Sequence, residues 1–239
     1  MTPWVELGRA EIPGGGELRL IRRGEEFSIQ LGRIELMNSR RSASEVALAE
    51  FACRKILSRP SPRLLIGGLG MGFTLRAALA ELRPDAEILV AELLSAILDW
   101  ARGPLAPIFG ECLADPRVTL RQSDVAKEIS AGPSAYDAIL LDVDNGPQGL
   151  TIPANDALYG MEGLAEAHKA LRPGGILAIW SASSDEKFLK RLRQSGFLVE
   201  EIRVRAHGTG GPRHLIWIAV REDRPDKAPP APRRFKPPR

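Results

Sequence analysis

Cysteine and histidine are scarce in this chain of 239 residues: Cys53 and Cys112 are the two cysteines, and His168, His207 and His214 are the three histidines. Neither set has metal-ligand spacing, so no metal is expected, and two lone cysteines fit a reducing compartment. Aromatic residues are only 5% of the chain. No apolar run approaches the ~20 residues of a membrane-spanning helix. The start, Met1-Thr2-Pro3-Trp4-Val5-Glu6, has no basic stretch followed by an apolar one, and a cytoplasmic location is expected.

Net charge is also low outside one segment. Residues 222–239 hold six Lys/Arg against three Asp/Glu, and residues 1–221 hold 27 of each sign. The positive excess therefore lies in a tail that also has six of the 19 prolines. That composition reads as a disordered, polyproline-leaning extension, and nucleic acid is not the expected partner.

Apolar residues make up 44% of the chain, enough for a substantial core. Residues 1–44 carry four short β-type runs at 4–12, 17–22, 27–31 and 34–37, separated by Pro13-Gly14-Gly15-Gly16, Arg23-Gly24 and Gly32-Arg33. They predict a small antiparallel sheet that needs a larger body to pack against. Residues 45–221 alternate strand and helix. Strands are expected at 63–67, 87–92, 118–122, 136–142 and 175–180. Helices are expected at 45–57, 72–82, 95–102, 125–130, 160–171 and 185–195, the first capped by Ser44. Two further β runs, 197–205 and 214–220, have no helix between them and form a terminal antiparallel hairpin. The expected fold is a doubly wound, mostly parallel seven-stranded α/β sheet of the methyltransferase kind.

Chemistry concentrates at the strand ends. Gly67-Gly68-Leu69-Gly70-Met71-Gly72 follows the first parallel strand and opens a helix. Glycines at 68, 70 and 72 let the backbone turn sharply and approach a ligand beside a helix N-terminus, although a plain tight turn has the same pattern. The dinucleotide pattern would require glycine where Phe73 stands. Glu92 ends the second strand, where an acid accepts hydrogen bonds from ribose hydroxyls. Asp124 follows the third; it can accept from an adenine amino group or simply cap a helix. Asp142 ends the fourth. Asp142-Val143-Asp144-Asn145-Gly146-Pro147 reads both as a site and as a turn. Trp180 and Trp217 lie in strand runs and are expected in the core, whereas Tyr159 stands on the loop after Asp142.

The phrases LLIGGLGMGFTLRAAL, AELLSAILDWAR, DPRVTLRQSDVAK, YDAILLDVDNGPQGL and LYGMEGLAEAHKALRPGGILAIW resemble those of the spermidine synthase family, the polyamine aminopropyltransferases, within the class I S-adenosylmethionine-dependent methyltransferase fold. The resemblance spans residues 63–180. It implies that Gly68, Gly70, Gly72, Glu92 and Asp124 hold an S-adenosyl nucleoside, with Asp142 also bordering it. It implies that Asp142, with Asp144 beside it, orients or deprotonates an attacking amine. Asn145, Gln148, Tyr159 and Glu45 would line the acceptor pocket, and the N-terminal sheet would help form a homodimer. The cofactor would be S-adenosylmethionine or its decarboxylated form, leaving S-adenosylhomocysteine or methylthioadenosine.

The sequence departs from that family at three points. Met71 stands where an acid binds the aminopropyl ammonium. Asn145 replaces a second acid, and Ala43-Ser44-Glu45 keeps only the glutamate of a Tyr-His-Glu segment. Aminopropyl transfer to a small amine is the first reading. Methyl transfer from S-adenosylmethionine to a small molecule is the second, and a non-catalytic nucleoside-binding protein is the third.

Overall fold

A computed structural model of the chain describes residues 2–12, 15–143, 157–207 and 210–222. Asp144, Asn145, Gln148 and all of the Pro/Arg-rich tail beyond Glu222 lie outside the described residues. The first four strands, β1 (Val5–Glu11), β2 (Glu17–Arg23), β3 (Glu26–Leu31) and β4 (Ile34–Asn38), pair antiparallel in chain order. The β2–β3 and β3–β4 hairpins turn at the Arg23-Gly24 and Gly32-Arg33 breaks expected from the sequence.

The main sheet is built from β5 (Arg63–Gly67), β6 (Glu87–Glu92), β7 (Val118–Gln122), β8 (Tyr136–Leu141), β9 (Leu171–Ser181), β10 (Phe197–His207) and β11 (Gly210–Arg221). Its order is β10-β11-β9-β8-β5-β6-β7. β5 to β9 run parallel, and β11 runs antiparallel to both β9 and β10. The helices are α1 (Ala43–Ile56), α2 (Phe73–Glu81), α3 (Ser95–Arg102), the short α4 (Ala106–Phe109), α5 (Val125–Ser130), α6 (Met161–Ala170) and α7 (Glu186–Gln194). Among the described residues no helix is long and apolar enough to cross a membrane.

Period-two alternation explains why the sheet is covered on both faces. Leu64, Ile66, Ala138, Leu140, Ile216 and Ile218 point into one core, while Leu65, Ile139, Leu141, Leu177, Ile179 and Trp217 point into the other. Ile12, Leu18, Leu20, Phe27 and Ile29 of the N-terminal sheet join the first core. That sheet therefore obtains the burial it cannot provide alone.

Two local expectations are corrected. Helix α1 begins at Ala43, with Ser42 as its N-cap and no side-chain capping bond. Ser44 lies inside the first turn and is fully buried, and its hydroxyl is used elsewhere. The fifth parallel strand begins at Leu171 rather than 175, directly after α6.

Candidate functional site

Chain order in the main sheet reverses between β5 and β8, so the helices leaving those two strands diverge and open a crevice at their carboxyl ends. Gly67 closes β5, and its carbonyl accepts the Asp142 N–H at 3.0 Å. The chain then turns through Gly68 (φ +86°) and Gly72 (φ +75°), conformations that side chains disfavour. A Cβ on Gly68 would lie 2.5 Å from the Asp142 carbonyl oxygen, and one on Gly72 would run into the Phe109 ring. The glycines are needed for the loop to pass beside the end of β8.

The crevice has two lobes that share Leu36, Met37, Gly70 and Asp142. They enclose about 890 and 940 Å³, open mouths included, the size of small-molecule sites. In the first lobe lie Gly68, Glu92, Asp124 and Ile97, facing Ile12, Leu18 and Ile29 of the N-terminal sheet. Glu92 is buried, and its Oε2 and Oε1 accept the N–H groups of Leu69 (2.8 Å) and Leu94 (2.9 Å). Burial raises its pKa, and the backbone donors oppose that rise by favouring the ionised form. Asp124 performs one of its two expected local tasks, the helix cap. Its Oδ1 caps α5 by accepting the Ala126 N–H at 2.9 Å, and the residue borders the same lobe.

Asp142 stands where the lobes meet. It is half-buried, and its Oδ2 accepts the Thr74 hydroxyl at 2.6 Å. Its carboxyl is pushed up to about 7, first by burial and then by the charge of Glu45, against the lowering effect of Thr74. Glu45 borders the second lobe and is also raised by burial. The other residues around that lobe include Glu35, Arg41, Phe73, Trp180 and His214. The donor set fits an S-adenosyl nucleoside: a glycine cradle, a buried acid with both oxygens already oriented, and a second acid one strand further on. Among the described residues no group of three or more His, Cys, Asp or Glu is placed to hold a metal.

The structure brings Gly68, Gly70, Glu92, Asp124, Asp142 and Glu45 to one crevice. Gly72 lies behind it, packed against Phe109. Tyr159 is placed elsewhere: it is buried edge-on against Phe188, and its hydroxyl donates to the Val143 carbonyl at 3.3 Å. Trp217 is in the core, as expected from its strand, but Trp180 is half-buried and borders the second lobe. Sequence reasoning passed over Thr74, Arg41 and His214. A threonine two residues after the glycine loop was a usable signal for the first, because a first-turn hydroxyl sits beside the neighbouring strand end. No local pattern marks the other two.

No protein-family model matches the chain. A polyamine aminopropyltransferase of Pseudomonas aeruginosa is 32% identical over 141 residues, covering 55% of this chain and 38% of the relative. The chain thus spans little more than a third of the length of the curated relatives it matches. Among solved structures, a spermidine synthase in complex with the transition-state analogue AdoDATO superposes with a TM-score of 0.71 at 16% identity, over 93% of this chain and 75% of that one. An S-adenosylmethionine-dependent O-methyltransferase from Thermotoga maritima superposes with a TM-score of 0.52 at 17% identity, over 74% and 65%. The chain has the class I methyltransferase-like fold. Within that fold, part of the chain is similar in sequence to polyamine aminopropyltransferases, and 93% of it superposes on a spermidine synthase.

Proposed function

We propose that the chain is a transferase that uses an S-adenosyl nucleoside in the first lobe and a small amine acceptor in the second. The observation that carries this reading is the position of Asp142 at the junction of the two lobes, with a carboxyl poised near neutrality. Aminopropyl transfer is the reaction that the polyamine aminopropyltransferase relatives suggest.

When bound, the nucleoside supplies a carbon activated by its sulfonium. The protein must then align the nucleophile and keep it unprotonated. Glu92 and Asp124 would hold the ribose and adenine, and the apolar face of Ile12, Leu18 and Ile29 would exclude water. Asp142 would accept one proton from the acceptor ammonium, leaving a neutral amine with a free lone pair. Thr74 would keep that carboxylate oriented. From the sequence, Asp144, Asn145 and Gln148 remain proposed acceptor residues, residues 45–221 the catalytic unit, and a cytoplasmic homodimer the assembly.

Methyl transfer is the second reading, and Met71 favours it. Met71 is buried, borders the acceptor lobe and offers no charge to an aminopropyl ammonium. Calorimetry with S-adenosylmethionine and its decarboxylated form separates the two. Aminopropyl transfer requires the decarboxylated form to bind at least as well. A tenfold preference for the carboxylated form, ~1.4 kcal/mol, would select methyl transfer. If neither form nor methylthioadenosine binds, the transferase reading fails altogether.

A further inference from the structure

The second lobe is bordered by a short hydrogen-bonded chain that joins His214 to Glu45. His214 stands on β11, antiparallel to β9, and its ring lies edge-on to Trp180 with centroids 4.7 Å apart. Its Nδ1 is 2.9 Å from Ser44 Oγ, and the same oxygen is 2.6 Å from Glu45 Oε2. Ser44 is fully buried, so its hydroxyl has no water to turn to. A hydroxyl carries one hydrogen. An ionised Glu45 can only accept, so Ser44 donates to Glu45 and must itself accept from His214. That places the hydrogen of the neutral imidazole on Nδ1 and leaves a bare lone pair on Nε2. His214 borders the lobe, and Nε2 has no partner among the described residues.

We propose that His214 is an acceptor-binding residue whose Nε2, fixed as a hydrogen-bond acceptor by Ser44 and Glu45, receives an N–H of the amine substrate. The inference rests on the transferase reading of the crevice. The charged groups around this lobe are Glu45 on α1, Glu35 on β4, Arg41 before α1 and Asp142 at the end of β8. Arg41 is paired with Glu35 at 3.3 Å. Burial and the Arg41 charge both hold His214 below the usual histidine range, which keeps it neutral near pH 7. A neutral ring gives the lobe an uncharged acceptor beside the carboxylate of Glu45. A ligand that donates hydrogen bonds at two points fits that arrangement.

The tautomer is read directly by 15N NMR of the imidazoles in the full-length chain, with the His214 signal assigned from His214→Gln. The expected result is an Nδ1–H ring in the wild type that converts to Nε2–H, or to a mixture, in Ser44→Ala. Adding 1,4-diaminobutane to protein saturated with methylthioadenosine should then shift the Nε2 resonance. In turnover, His214→Phe should raise the KM for that diamine about tenfold or more, ~1.4 kcal/mol, and leave methylthioadenosine affinity unchanged. His214→Gln, whose amide oxygen reaches the Nε2 position, should recover part of the loss. A wild-type ring that is Nε2–H, a tautomer indifferent to Ser44→Ala, or a diamine that leaves the ring unmoved would each overturn the proposal. Failure of methylthioadenosine to bind, measured separately by calorimetry, would instead remove the transferase reading on which it rests.

Discussion

Asp142 shows at the residue scale how reactivity is set against stability. A carboxyl whose folded pKa lies near 7 instead of 3.8 binds its proton more tightly in the folded chain than in the unfolded one. Stability is therefore lost as pH rises from about 4 towards 7, and the whole penalty is present above 7. Asp142→Asn removes that charge while keeping an oxygen for the Thr74 hydroxyl. The variant should be more stable than the wild type at pH 8, by up to ~4 kcal/mol for a shift of that size, and gain nothing at pH 4. Melting curves at the two pH values check this. The same substitution should abolish turnover and leave methylthioadenosine affinity within twofold. In the wild type the rate should fall on the acid side of about pH 7, as the base becomes protonated. An unchanged rate in Asp142→Asn would take the residue out of the mechanism.

Single elements carry the first lobe, and the β5–α2 turn is the most constrained of them. Gly68→Ala would put a methyl group 2.5 Å from the Asp142 carbonyl in a left-handed conformation. Either β5 and β8 separate at their ends or the loop moves off Glu92. The expected cost is about 1–3 kcal/mol of stability, with methylthioadenosine binding weakened at least tenfold, read by melting and calorimetry. This turn was legible in the sequence because glycine spacing is a local property and strand ends of a doubly wound sheet share one edge. The same reasoning reached Glu92, Asp124 and Asp142, and the limits of β5 to β8 followed from apolar runs, whereas β9 and β11 each begin four residues before their expected starts. His214 was not legible: its contact with Ser44 crosses 170 positions and depends on β11 lying antiparallel beside β9. Ser44 misled for a related reason. A serine before an apolar helical run suits an N-cap, but here the helix begins two residues earlier than expected and the hydroxyl turns to a tertiary partner. Tyr159 stood close to Asp142 in sequence, yet the pull of Phe188 and the second core placed it inside.

Across the whole molecule, a buried ionic cluster and the crevice occupy opposite ends of the strands of the main sheet. The carboxyl ends of β5 and β8 form the crevice, and their amino ends meet at Asp137. That side chain is fully buried and accepts from Arg59 and Arg172, each at 2.7 Å, and from the Arg63 N–H at 2.9 Å. One carboxylate thereby ties the segment after α1 to the starts of β5 and β9. Removing one partner of a buried ionic cluster leaves the remaining charges uncompensated, which typically costs about 3–5 kcal/mol. Asp137→Ala should therefore lower Tm by roughly 10 °C. Asp137→Asn, which keeps a carbonyl oxygen but no charge, should fall between it and the wild type. Neither substitution touches a residue that borders either lobe. Well below its melting point, Asp137→Ala should bind methylthioadenosine within twofold of the wild type, the reverse of the Gly68→Ala result. If the folded variant instead lost nucleoside affinity, the amino-end cluster would be coupled to the crevice along β5 and β8, and the two ends would not be separable.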